Sequence, residues 1–217
     1  MDLNQTLNNY CERMGPEFWA EPWNAITNAV FLIAVLAAFV MWRKKTPDDW
    51  VGLLLIAIVL ATGIGSFLCH TLATRWAMLA DIIPIALFIH VYLLCALRRF
   101  LCLPWLIIVA MLIGFVFLSP MVGEVWQPVI GSSAFYLPAL LAIFVVGGFF
   151  YSRNARLGRD VLLTGVLFAV SLTFRGLDGP VCGDFAMGTH FLWHIFNGVV
   201  LFSLLRVLIF QRAEYTQ

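Results

Sequence analysis

The sequence predicts an all-α protein, a seven-transmembrane helix bundle with its amino terminus outside and its carboxyl terminus in the cytoplasm. Three observations lead there. Of 217 residues, 62% are hydrophobic, against roughly 45–50% in a typical soluble domain. Only 12% are charged, about half the usual share. Charged and Gly/Pro-rich breaks divide the chain into seven apolar stretches, each close to the about 20 residues a membrane helix needs. A soluble domain of this length still leaves about a quarter to a third of its unfolded-chain area exposed and could not hide so much apolar surface. A net charge of +1 excludes a nucleic-acid binder, and five cysteines in 217 residues are too few for a secreted disulfide scaffold.

Residues 1–23 read as an extracytoplasmic amphipathic lid, 24–210 as the membrane domain and 211–217 as a cytoplasmic tail. The lid carries Asp2, Glu12, Glu17 and Glu21 rather than a basic start followed by an apolar run, so it is expected to stay in the mature protein. Tyr10, Phe18, Trp19 and Trp23 beside these acids suit the outer interface. The spans are expected at 24–42, 50–70, 77–97, 101–119, 132–151, 160–177 and 189–210. Short connections make successive spans antiparallel neighbours. Ten of the thirteen Lys and Arg residues then fall on one side: Arg43, Lys44, Lys45, Arg98, Arg99, Arg153, Arg156, Arg159, Arg206 and Arg212. Arg13, Arg75 and Arg175 fall on the other, so the excess of positive charge sets the orientation.

Ionisable side chains are costly at membrane depth, so each is a candidate functional residue. The second span ends with Ser66 and His70, the third carries Asp81 one turn in, and the seventh opens with His190 and His194. All five lie within about two turns of the outer surface. Ser66 and His70 are four apart, as are His190 and His194, so each pair shares a helix face. Three histidines from two helices fit a catalytic zinc with three protein ligands and one open position. Packing of the same imidazoles near the headgroups is the alternative. His90, nine residues beyond Asp81, reads as a helix–helix hydrogen-bonding residue. Cys11 and Cys182 both fall outside, where a disulfide is allowed, while Cys69, Cys95 and Cys102 read as small buried apolar residues. The oxygen donors Asn9, Glu12, Glu17, Glu21 and Asn24 suit either a calcium ion or an ordinary solvated acidic segment.

The set Ser66-x3-His70, Asp81 and His190-x3-His194, preceded by Tyr10-Cys11-Glu12-Arg13 and Phe18-Trp19-Ala20-Glu21-Pro22-Trp23-Asn24, resembles the alkaline ceramidase family, within the membrane hydrolase group that includes adiponectin receptors, and the chain reads as a bacterial-type member. The resemblance implies a zinc-dependent amidase that cuts the N-acyl bond of ceramide to give a fatty acid and a sphingoid base. It implies zinc on His70, His190 and His194, with Ser66 and Asp81 beside the attacking water. It also implies a Cys11–Cys182 disulfide and calcium on Asn9, the Tyr10 carbonyl, Glu12 and Glu21. The chain departs from the family pattern at Asn9, where an aspartate is usual, and at Met14, where an asparagine ligand is expected. The stretch between Glu12 and Glu21 is also about two residues shorter, leaving Glu17 or Asn24 to compensate. The expected setting is a bacterial inner membrane with the site facing the periplasm and a membrane lipid as substrate. Hydrolysis of a different N-acyl or ester lipid at the same metal site and an adiponectin-receptor-like receptor are the alternatives; oligomeric state is not set by the sequence.

Overall fold

In a computed structural model, which describes residues 2–215, the chain is all-helical, with no β-strand among the described residues. The helices are α1 (Pro22–Thr27), α2 (Ala29–Lys45), α3 (Trp50–Leu72), α4 (Arg75–Cys95), α5 (Trp105–Ile130), α6 (Leu137–Tyr151), α7 (Ala155–Val181) and α8 (His190–Tyr215). Among the described residues, six helical stretches are long and apolar enough to cross a membrane. The fourth of these, Trp105–Tyr151, has 47 residues and contains both α5 and α6 around a 3₁₀ turn, Gly131–Tyr136.

Several boundaries differ from the expected ones. The first stretch is two helices, because α1 ends at Thr27 and Asn28 intervenes before α2. The third runs on through a π-helical turn, Ala96–Phe100. The helix expected at 101–119 begins at Trp105 and continues through Pro120 and Pro128 to Ile130. A proline removes one backbone donor, but in an apolar setting the remaining backbone groups have no water to turn to, and the helix persists. Likewise α7 extends beyond the expected 160–177 at both ends, carrying Asp178 within it. Of the expected tail, 211–215 continue α8, and residues 216 and 217 lie outside those described.

Helix α8 is the axis of the bundle and packs against α1, α2, α3 and α7, while α3 and α4 form the tightest pair. Helix α5 sits at the edge, with only Ile108 and Gly123 buried, and presents Leu106, Phe117 and Val125 outward. Such a continuous apolar exterior suits lipid rather than water. The core away from the site contains Leu55, Phe100, Phe150, Leu205 and Leu208, with Phe100 stacked on Phe150 at 4.6 Å. At that end Arg99 grips Asp49 with two hydrogen bonds, of 2.6 and 2.8 Å. Burial raises the Asp49 pKa, but the Arg99 hydrogen bonds outweigh it and hold the carboxyl below its ordinary range.

Residues 2–21 are irregular rather than helical. They lie across the α3–α4 turn, where Leu7 donates to the Ala73 carbonyl and Arg75 and Trp76 donate to those of Gln5 and Leu3. Two other expectations are corrected. Cys102 is exposed in the loop before α5, unlike the buried Cys69 and Cys95. His90 Nδ1 faces the carbonyl of Ala86 in its own helix at 2.7 Å, and its ring meets Phe115 edge-on, so it makes no hydrogen bond between helices.

Candidate metal centre

The site forms where the last turns of α3, the first turns of α4 and α8, and the lid converge. Gly65 determines the approach of α3 to α4: a Cβ there would run into the Ala80 carbonyl. With the two backbones so close, Ser66 is brought up beside the Asp81 carboxylate. Both are buried. Asp81 Oδ1 is buried without a partner.

His70, His190 and His194 are each 1% exposed or less. Their ring centroids lie 4.7–5.1 Å apart, and one ligand nitrogen from each falls within 4.8 Å of the others. The unused nitrogens identify the donor atoms. His70 Nδ1 meets Glu21 Oε2 at 2.6 Å; a carboxylate only accepts, so Nδ1 carries the proton and Nε2 keeps its lone pair. The Thr27 hydroxyl donates to the Trp23 carbonyl, so its oxygen is free to accept from His194 Nδ1 at 3.0 Å. Left buried and unpartnered are His70 Nε2, His194 Nε2 and His190 Nδ1. Three orphaned imidazole nitrogens, with outer hydrogen bonds fixing two of the rings, are the arrangement in which a metal ion is held. The group of three can hold a metal ion.

The lid enters this site. Tyr10 lays its ring against His190 and His70, at 4.0 and 4.8 Å between centroids. Burial drives the Tyr10 phenol well above its ordinary pKa, with the Arg175 guanidinium countering part of the shift. Cys11 and Cys182 are joined in a disulfide with 5.3 Å between Cα atoms, tying the lid to the end of α7. Gly188, at φ +64°, lies against Cys11 and Asp178, where a side chain would have no room. Asp178 accepts hydrogen bonds from the backbone N–H groups of Cys11, Thr189 and His190 at 3.1, 2.8 and 2.9 Å. It therefore caps α8 from outside and fixes His190 at its first turn.

The residues expected to hold calcium are arranged differently. Glu12 spends both oxygens on the Trp23 and Asn24 N–H groups, at 2.7 and 2.8 Å, capping α1. Burial raises the Glu12 pKa, which these two backbone donors partly offset. Glu21 is divided between Arg13, His70 and Asn24. Burial pushes its pKa up, but the His70 and Arg13 hydrogen bonds prevail and hold it below the ordinary carboxylate range. Asn9 is exposed, with its amide nitrogen 3.9 Å from Met78 Sδ, and Met14 is 85% exposed. The Tyr10 carbonyl accepts from the Arg13 N–H, and Glu17 is exposed. Asn24 Oδ1 and Asn28 Oδ1 are buried acceptors without partners.

Sequence reasoning missed four participants. Arg175, counted only as an outside charge, places its guanidinium 5.3 Å from the ring centroids of Tyr136 and of Trp193, with Nε buried and unpartnered. The signal was present, since an arginine inside an apolar span is a functional candidate by default. Arg13, Thr27 and Asp178 had no such signal. Below the site lies an apolar pocket lined by Phe88, Tyr136, Phe168, Trp193 and Leu204, with Thr62 and Asn197 as polar members.

No curated protein matches this chain. A family model described as ceramidase matches residues 5–217, essentially the whole length. The buried tri-histidine group, the multiple apolar helices of a multi-pass membrane protein and this match point the same way: the chain belongs to the ceramidase family, which implies a hydrolase of amide bonds and points to ceramide-like lipids.

Proposed function

We infer that this protein is an integral-membrane, zinc-dependent amidase that hydrolyses the N-acyl bond of ceramide or a related lipid to a fatty acid and a sphingoid base. The observation that carries the reading is the convergence of three buried, unpartnered imidazole nitrogens, at the end of the bundle where Asp81 also keeps an oxygen without a partner. Ligand nitrogens about 2.0–2.1 Å from a tetrahedral zinc lie about 3.4 Å from one another, a spacing small ring adjustments reach from the present one. When bound, zinc polarises the scissile carbonyl and lowers the pKa of water toward about 7.

The chain's own residues supply the rest. Ser66 stands within reach of one oxygen of Asp81, and the unpartnered Oδ1 is available to orient the attacking water and take its proton. Once Asp81 is protonated it needs a hydrogen bond from the serine less. The Ser66 hydroxyl is then free to turn toward the charge developing on the amide oxygen. Asp81 returns the proton to the amine nitrogen as the C–N bond breaks. The apolar cavity beneath the site suits the hydrocarbon chains, so the amide can react at headgroup depth without the lipid leaving the membrane.

The 47-residue stretch would be about 70 Å long as one straight helix, far beyond a bilayer core of about 30 Å. We read α5 and α6 as separate crossings, giving seven in all. The basic ends of the helices lie opposite the histidine site. That arrangement supports a cytoplasmic carboxyl terminus and a site facing the periplasm of a bacterial inner membrane. The test is incubation of purified protein with a panel of N-acyl and ester lipids, with and without a chelator, and identification of the products. Metal-dependent release of fatty acid and amine is expected. Undiminished activity in metal-free protein overturns the mechanism, and release from esters alone overturns the amide assignment.

A further inference from the structure

The reaction as set out leaves Arg13 unused, yet this cation is 6% exposed and Glu21 beside it 1%. The guanidinium distributes its donors over three oxygens. Nε bonds Glu21 Oε1, Nη1 donates to the Gly15 carbonyl at 3.1 Å, and Nη2 donates to the His70 carbonyl at 2.8 Å. The second oxygen of Glu21 holds His70 Nδ1 at 2.6 Å and accepts from Asn24 Nδ2 at 3.1 Å. A fixed positive charge thus stands among lid and α3 oxygens, against the carboxylate that sets the tautomer of His70. The residues that would cage a calcium ion do not do so, because their oxygens already face N–H donors and Asn9 and Met14 turn outward.

We propose that Arg13 is the lid's built-in cation, taking the place of a bound calcium ion and holding Glu21 in register against His70. The inference rests on His70 being a metal ligand. The guanidinium, itself held by the Gly15 and His70 carbonyls, neutralises the Glu21 carboxylate and fixes one of its oxygens through a charge-assisted Nε–H bond. With Glu21 so fixed, His70 keeps Nε2 aimed at the centre, and the centre does not depend on dissolved calcium. Arg13 is a positioning residue that acts through Glu21 and His70.

The experiment uses the full chain in detergent. Wild type, Arg13→Gln and Arg13→Lys are compared by zinc affinity, through competition with a chromophoric chelator, and by thermal melting with and without millimolar calcium chloride. Calcium leaves the wild-type melt unmoved. Arg13→Gln weakens zinc binding by roughly 10- to 100-fold, the usual effect of losing a partner behind a metal ligand. Arg13→Lys recovers much of the loss, because the charge remains. The proposal is overturned by a wild-type melt raised by calcium, by Arg13→Gln binding zinc as tightly as wild type, or by Lys proving no better than Gln. If Arg13→Gln does not fold, the wild-type calcium melt and Arg13→Lys still decide. Wild type that takes up no zinc at all would overturn the metal reading instead, while the calcium melt would still judge Arg13.

Discussion

Replacing Asp178 by alanine removes the acceptor for three backbone N–H groups at once, those of Cys11, Thr189 and His190. Asp178 is 4% exposed, so little water is at hand to take over. A buried donor left unsatisfied costs about 1–3 kcal/mol, and bonds to a charged acceptor sit toward the upper part of that scale. At about 1–2 kcal/mol each, allowing for relaxation, the three together cost about 3–6 kcal/mol. For a chain of this length that lowers the melting temperature by on the order of 10 °C or more. Asp178→Asn keeps an amide oxygen for Thr189 and His190 but loses the charge and the bond to Cys11, so it should melt between the two. Zinc affinity should follow the same order, since His190 is one of the three imidazoles. Both variants are to be melted and titrated with zinc alongside wild type. An alanine variant that melts with wild type, or a melt that falls while zinc affinity stays unchanged, would refute the claim that this carboxylate fixes the start of α8.

His194→Ala should abolish zinc uptake and amidase turnover together, which metal analysis and product assay check on one sample. Ser66→Ala should slow turnover while zinc stays bound; loss of zinc on this change would make Ser66 a ligand instead. Gly65→Val sets a side chain against the Ala80 carbonyl, and overpacking of that kind costs about 1–3 kcal/mol. It should lower both the melting temperature and turnover, by separating Ser66 from Asp81, and normal values for both would show that α3 and α4 need not approach so closely. Asp49 has a folded pKa below its unfolded one, so its pairing with Arg99 contributes stability in full above the ordinary aspartate range. That contribution is lost as pH falls through the lower, folded value. Asp49→Asn should therefore melt lower at neutral pH and show a shallower acid limb, with the difference from wild type vanishing at low pH.

Much of the site was legible in the sequence because helical spacing is a local property. Ser66 and His70, and His190 and His194, share faces whatever surrounds them, and the cost of polar groups in lipid marks them out. Their confinement to one end of the spans, together with Asp81, placed the candidate centre. Composition fixed the membrane class for the same reason, since 62% hydrophobic residues cannot be buried in a chain this short.

Contacts between distant segments were decided only by tertiary structure. The family resemblance implied Glu21 as a calcium ligand, and the fold puts it behind His70 and beside Arg13. Tyr10, expected to offer its carbonyl, offers its ring to two imidazoles. Asp178 joins lid, α7 and α8 across sequence separations of 167 and 12 residues, and no periodicity relates positions so far apart. Helix α5 passed through Pro120 because a helix end depends on what can satisfy its backbone as well as on the residue itself. Sequence determined which residues are too costly to be idle in a membrane; packing determined their partners, since a hydrogen bond or ligand bond depends on approach within a few ångströms that only the assembled helices and lid provide.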